Sequence, residues 1–299
     1  MKFSVLIAAY QADAFILTAL KCLRDQTHHN WEVIVVEDGS HDRTEAIVKE
    51  FAVSVAQPVR YHNLGKNCGV GTARNTLLSL ASGDAVAFLD ADDTWEPSHL
   101  ENAKSKIERG ADLVVSGVQT FDLVKNIPLE VVHAPIALVR DPLLTLFQRS
   151  AIITSSAVVL TRELVQRTGE FDVSLRIGED RDYWLRCALV GGRFQVSKAV
   201  TCNYAKHDGS SMARTYLVAQ QITRFYEKHR ALKAVPARLR RHLLADSLIA
   251  LGRLLRSHDA PRSVACFWRA WQCEPLNPRI ACHLMFTGWR SIAPQRVAQ

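Results

Sequence analysis

Val86-Ala87-Phe88-Leu89-Asp90-Ala91-Asp92-Asp93-Thr94-Trp95 begins as an apolar run behind the turn residues Ser82-Gly83-Asp84 and ends in three carboxylates within four positions. A buried strand that stops on Asp-Ala-Asp-Asp delivers its charges to the carboxyl edge of a sheet, and in open α/β sheets ligands bind at that edge. Side chains two apart on an extended chain share a face, so Asp90 and Asp92 can converge on one cation. A hard divalent ion such as Mg2+ or Mn2+ takes carboxylate oxygens and keeps sites open for phosphate oxygens. The plainer alternative is a strand followed by an acidic helix start, because Asp and Glu favour first turns and Pro97 suits the first helical position.

On the amino-terminal side of this stretch, apolar strand patterns alternate with helical ones. Phe3–Ala9, Trp31–Val36 and Val59–His62 read as strands; Ala12–Gln26, a segment opened by Asp42-Arg43-Thr44-Glu45, and Thr72–Leu80 read as helices. Alternation of this kind indicates βαβ units and a parallel sheet with right-handed crossovers. Gly65, Gly69 and Gly71 precede the third helix but match neither the Rossmann nor the Walker spacing. On the carboxyl side, Ser98–Arg109 reads as a helix, Leu113–Thr120 as a strand and 122–141 as irregular or weakly extended. Ile152–Leu160 is apolar with small polar insertions, a helix begins within Gly178-Glu179-Asp180-Arg181-Asp182-Tyr183-Trp184, and Ala199–Ala205 reads as a closing strand. From Thr215 onward strand patterns stop. Gln220–Leu232, Ala237–Arg256, Pro261–Glu274 and Arg279–Trp289 read as helices, the last two similar to one tetratricopeptide hairpin.

The 299 residues, 48% of them apolar, suffice for one large core or two modest ones. Seven cysteines, an odd set without a Cys-x-x-Cys pair, argue against a disulfide framework and a zinc site and fit a reducing compartment. Neither a signal peptide nor a charge-free run of the ~20 residues needed to cross a bilayer is present. The expected location is cytoplasmic, or peripheral on the cytosolic face of a membrane. The net charge of +7 is uneven: residues 1–213 hold 22 Lys+Arg against 26 Asp+Glu, and residues 214–299 hold 15 against 4. A basic tail on a slightly acidic body points to an anionic partner for the tail, or to a solvated helical face. No nucleic-acid reader motif accompanies it, so nucleic acid is not an expected partner.

Taken together, Phe3-Ser4-Val5-Leu6-Ile7-Ala8-Ala9-Tyr10, Glu37-Asp38-Gly39-Ser40, Asn63-Leu64-Gly65, Ala73-Arg74-Asn75, Asp90-Ala91-Asp92-Asp93 and Gly178-Glu179-Asp180-Arg181-Asp182-Tyr183-Trp184, with His207 ahead of Ser210-Ser211, resemble the inverting nucleotide-sugar glycosyltransferases of family 2. The resemblance covers roughly residues 1–213. It departs at Ala8, where the family usually has Pro, and at Gln11, where it usually has Asn.

The resemblance implies a GT-A fold: α/β, Rossmann-like, with a mostly parallel central sheet flanked by helices and followed here by an all-helical extension. Residues 1–213 would be the catalytic domain, with 1–95 the nucleotide-sugar half and 96–213 the acceptor half; 214–299 would be the basic extension. It implies Asp180 as general base with Glu179 beside it. Ala9, Tyr10, Asp38, Arg74, Asp90, Ala91 and Asp92 would bind the donor, and Asp92, Asp90 and His207 would hold Mn2+ or Mg2+. The expected partners are a nucleotide-sugar donor, UDP- or dTDP-linked, and a glycan or lipid-linked acceptor in cell-surface polysaccharide synthesis. The basic helices would meet an anionic membrane surface, and a homo-oligomer stays open. Two other classes remain: a catalytically silent nucleotide-sugar-binding module, and a sugar nucleotidyltransferase, against which Ala8–Ala14 offers no basic, glycine-rich triphosphate loop. Acceptor choice is expected to lie in 121–150 and 169–178.

Overall fold

The computed structural model describes residues 1–122, 125, 127–148, 153–206 and 215–292, the last seven without their side chains. The chain divides into two compact units, Met1–Ser210 and Ser211–Gln299.

The first unit starts with β1 (Phe3–Ala9), α1 (Ile16–Arg24), β2 (Trp31–Glu37), α2 (Thr44–Ala52), β3 (Val59–Asn63), α3 (Val70–Leu80) and β4 (Ala85–Phe88). These four strands are all parallel, in the order β3-β2-β1-β4. β2 is buried along its whole length and β1 nearly so, as expected of strands covered on both faces, where the pattern is a continuous apolar run. One carboxylate crosses this interior. Glu32 accepts hydrogen bonds from the Ser4 hydroxyl (2.6 Å) and from the Ser82 N–H (2.8 Å) and hydroxyl (2.7 Å). Burial alone would raise its pKa, but these donors, with Lys2, pull it down to about 2. The same junction explains Gly83, because a Cβ there would lie 2.6 Å from the Ser4 nitrogen.

β5 (Thr94–Trp95), α4 (His99–Glu108), β6 (Leu113–Asp122), β7 (Ile127–Val132), α5 (Ala137–Arg140), α6 (Pro142–Gln148), β8 (Val158–Thr161), α7 (Arg162–Thr168), α8 (Glu179–Leu189) and β9 (Phe194–Lys206) complete the unit. Among the described residues they extend the sheet to β3-β2-β1-β4-β8-β6-β9-β5, with β7 beside β6. β8 runs antiparallel to β4 and β6, β9 parallel to β6, and β5 antiparallel to β9.

Three sequence expectations change here. Segment 122–141 is extended in its first part, where β7 pairs with β6 and Pro128 lies opposite Phe121, but two short helices follow that the irregular or extended reading did not include. All six β7 residues are exposed, so no burial alternation marks the strand; antiparallel pairing with the adjacent β6 does. β5 went unseen because two residues carry no period. β9 begins at Phe194, five residues before the expected Ala199.

The second unit holds α9 (Thr215–Lys228), α10 (Ala237–Leu255), α11 (Ala260–Cys273) and α12 (Pro278–Ile292). α10 starts behind Pro236, and α11 is capped by Asp259, whose carboxylate accepts the Arg262 N–H at 3.1 Å. α9 starts and ends earlier than the expected Gln220–Leu232. Among the described residues no helix is long and apolar enough to cross a membrane, and the cysteines are free thiols.

Candidate active site

The carboxyl ends of β1, β2, β3 and β4 lie at one edge of the sheet, at the point where strand order reverses about β1. Ala9 is buried there and Tyr10, next along, is half exposed. Gln11 follows with φ +50°, the one non-glycine residue in the left-handed region among those described. Asn tolerates that region better than Gln does, so the departure from the family's Asn falls on a strained backbone position.

At the end of β2, Glu37 is buried and accepts hydrogen bonds from the Tyr61 and Ser40 hydroxyls. Asp38, also buried, accepts the N–H groups of Cys68 (2.6 Å) and Gly69 (2.8 Å). Asp38 therefore ties β2 to the loop that opens α3, while each of its oxygens keeps a further lone pair. Gly39 has φ +76° and its Cβ position lies 2.3 Å from the Lys66 backbone carbon, so no side chain fits.

The three carboxylates after β4 have separate surroundings. Asp93 is buried, takes the Ser156 hydroxyl and the Ala205 N–H (2.9 Å), and so ties this turn to β9. Burial, with Asp90 and Asp92 beside it, pushes its pKa well up. Asp90 and Asp92 are half-buried, and Ala91 between them is buried. Ser156 also accepts the Asp90 N–H at 2.9 Å. Sequence reading missed Ser156; the polar insertion in the Ile152–Leu160 run was its only signal.

Arg74, on α3, is 5% exposed. Its guanidinium reaches Glu179 at 2.7 Å and Asp90 at 3.0 Å, and it lies 5.9 Å over the Phe88 ring and 5.7 Å over that of Phe171. Burying a charge costs several kcal/mol; two carboxylates and two aromatic faces offset that cost. The family resemblance places Arg74 among the donor-binding residues; in this fold its two amino groups end on carboxylates. Asn75 donates its amide to the Phe171 carbonyl (3.0 Å) and accepts the Phe171 N–H (2.7 Å), fixing one of the rings that cover Arg74.

α8 distributes its polar residues in the same way. Glu179 is buried against Arg74; Arg181 donates to the Leu146 and Phe147 carbonyls at the end of α6; Asp182 is fully buried and pairs with Arg186 at 2.9 Å. Tyr183 and Trp184 enter the core. Asp180 is half-buried at the helix start. Burial raises the pKa of Asp180, with Arg74 opposing and Asp90 adding to the rise. Burial and the Asp180 charge take Glu179 to about 7 despite Arg74. Tyr204 on β9, a further residue that sequence reading missed, is pushed up to about 12 by burial and then by Asp93, Asp92, Asp90 and Asp180.

Asp90, Asp92, Glu179 and Asp180 thus outnumber Arg74, leaving an excess of negative charge at the sheet edge. That is the chemistry of a hard-cation site. Among the described residues no group of three His, Cys, Asp or Glu is placed to hold a metal. The fit is therefore to an ion held by one or two carboxylates and completed by substrate phosphates, as Mg2+ and similar ions are in phosphate chemistry. His207 lies outside the described residues.

The sequence profile of glycosyl transferase family 2 matches residues 4–158. The chain is 32% identical to the amylovoran biosynthesis glycosyltransferase AmsB of Erwinia amylovora, over 71% of this chain and 74% of the relative. It is 31% identical to the putative teichuronic acid biosynthesis glycosyltransferase TuaG of Bacillus subtilis, over 61% of this chain and 70% of the relative. In fold it is similar to S. aureus TarS 1–349, crystallised with UDP-GlcNAc, with a TM-score of 0.68 at 20% identity over 95% of this chain and 84% of that one. The mannosyltransferase PcManGT of Pyrobaculum calidifontis, in complex with GDP-Man and Mn2+, gives a TM-score of 0.59 at 18% identity over 99% and 88% of the two chains. The chain belongs to glycosyl transferase family 2 and is a glycosyltransferase of the GT-A fold.

Proposed function

We propose that the chain transfers a sugar, with inversion, from a nucleotide-diphosphate donor to a hydroxyl of a glycan or lipid-linked acceptor in cell-surface polysaccharide synthesis. One observation carries this reading: Asp180 at the start of α8 faces the same negative cluster as Asp90 and Asp92 at the end of β4, with Arg74 and Glu179 joining the two elements. Residues 1–95 supply the donor side, with Ala9, Tyr10 and Asp38 beside the nucleoside. Residues 96–213 supply the acceptor side. Asp92 and Asp90, with His207 as a third candidate, are the residues that would hold Mn2+ or Mg2+. The ion, when bound, neutralises the diphosphate leaving group. Asp180 accepts the proton of the attacking hydroxyl, for which burial suits it by raising its pKa. Arg74 and Glu179 are positioning residues. A UDP- or dTDP-linked donor fits the family resemblance, and the basic helices of the second unit would bring the enzyme to an anionic membrane surface.

The test is incubation with a panel of nucleotide sugars and Mn2+, following release of nucleoside diphosphate. At least one donor should be hydrolysed slowly without acceptor, EDTA should stop it, and transfer product should show inverted anomeric configuration by NMR. Retention of configuration would overturn the assignment of Asp180. Undiminished turnover in EDTA would overturn the metal assignment, and no turnover of any donor would favour the silent binding module.

A further inference from the structure

In the second unit, helical spacing places Gln220, Arg224 and Glu227 on one stripe of α9 and Arg262, Cys266 and Arg269 on one stripe of α11. The two stripes wall a cavity of about 390 Å3. Its floor is apolar, made by the buried Leu251 and Leu255 of α10 with Cys266. Three guanidiniums and one carboxylate, that of Glu227, line it. Arg269 holds Glu227 at 2.5 Å and Arg262 reaches Asp259 at 3.6 Å, whereas Arg224 is exposed and makes no ion pair among the described residues. A second cavity of about 500 Å3 adjoins it, sharing Leu255 and Arg262 and adding Tyr216 and Leu254. The first cavity is the arginine-lined one, while the second joins the apolar Tyr216, Leu254 and Leu255 to the polar Thr215, His258, Asp259 and Arg262.

Arginine is the side chain suited to phosphate, because its planar fork gives two parallel hydrogen bonds to the oxygens of one anion. A purely electrostatic surface would not need the apolar floor, and a packing defect would not need three arginines on its walls. We propose that the α9–α11 groove is a binding site for a phosphate group carried on an apolar chain. The phosphate sits between Arg224, Arg262 and Arg269, and the chain runs over Leu251 and Leu255 towards Tyr216 and Leu254. This does not depend on the catalytic reading, since no residue of the sheet edge takes part.

Calorimetric titration of the full chain tests it, with three soluble probes at one fixed salt concentration: dihexanoyl phosphatidate, inorganic phosphate and the matching neutral diacylglycerol. The phosphatidate should bind about ten-fold or more tighter than either of the others. Arg224→Gln/Arg262→Gln/Arg269→Gln should weaken it about ten-fold. Arg238→Gln/Arg241→Gln/Arg253→Gln, which removes the same charge from exposed positions on α10 outside the groove, should change it less than about two-fold. Arg224→Gln alone, on an exposed helix position, guards against misfolding of the triple variant and should cost about three-fold. Equal loss in the α10 variant, phosphate binding as tight as the phosphatidate, or no binding by the phosphatidate would each overturn the site. Donor hydrolysis should be unchanged in the groove variants. Failure of donor hydrolysis in the wild type would count against the catalytic reading alone.

Discussion

Arg74 Nη1 lies 2.7 Å from Glu179 Oε1, and both side chains are buried. The contact spans 105 positions of sequence and joins α3 to the helix start that carries Asp180. The second amino group of Arg74 reaches Asp90, so one cation sets the spacing between the two groups of carboxylates. The two partners differ in exposure: Asp90 keeps 33% of its side chain in solvent and Glu179 only 9%. Water can replace Arg74 for Asp90 but not for Glu179.

Because the Glu179 carboxyl already titrates near 7 beside Arg74, Arg74→Met should leave it protonated at neutral pH, with a stability loss of about 1–3 kcal/mol for the lost hydrogen bonds that grows as pH rises. Arg74→Met with Glu179→Gln should remove that growth with pH in urea melts while transfer stays abolished. A double variant whose loss still grows with pH would show that Glu179 is not the group left unpaired.

Asp92 and Asp93 are neighbours with different work. Asp93→Ala strands the Ser156 hydroxyl and the Ala205 N–H, and should cost about 2–4 kcal/mol. Asp92→Asn should cost less stability than Asp93→Ala, abolish transfer, and remove the Mn2+ dependence of nucleoside diphosphate binding. Thermal melts of the two variants alongside a transfer assay separate the roles.

Asp180→Asn should keep donor affinity and lower kcat by a factor on the order of 10² or more. Because burial raises its pKa, Asp180 takes up its proton at higher pH than an ordinary Asp. The acidic limb of kcat/KM should then lie above the usual value near 4, and activity should fall as pH drops through it. A variant with lost donor affinity and unchanged kcat would move Asp180 into the binding site.

His99 is buried, donates or accepts at Thr201 Oγ1 (2.9 Å) and stacks on Trp95 at 4.2 Å. Burial depresses its pKa from 6.5 to about 3. Between those values the unfolded chain binds a proton that the folded chain does not, so stability is lost as pH falls from 6.5 towards 3 and is unaffected above 6.5. The loss should be about 1.4 kcal/mol per pH unit. Urea titrations should show a wild-type slope steeper than that of His99→Phe by about that amount; equal slopes would mean His99 is protonated in the folded state.

Local pattern alone determined much of this protein. The apolar runs of β1, β2 and β4 are continuous because both faces of those strands are covered, so the parallel half of the sheet was legible, and with it the edge where Asp90 and Asp92 stand. The helical period after Thr215 and the charge asymmetry were equally plain, since both depend on neighbours in sequence. Tertiary structure decided which member of each motif faces the site. Asp90, Asp92 and Asp93 look alike in sequence, and only the arrival of Ser156 from the turn before β8 and of Ala205 from β9 makes Asp93 an anchor. Nothing local to Arg74 marks it as buried; Phe88 and Phe171 cover it and Glu179 meets it only in the folded chain. β7 has neither period nor burial, and exists because β6 offers it a partner. Hydrogen-bond partners, burial and the pKa shifts they cause come from residues tens of positions away, and no local period encodes them.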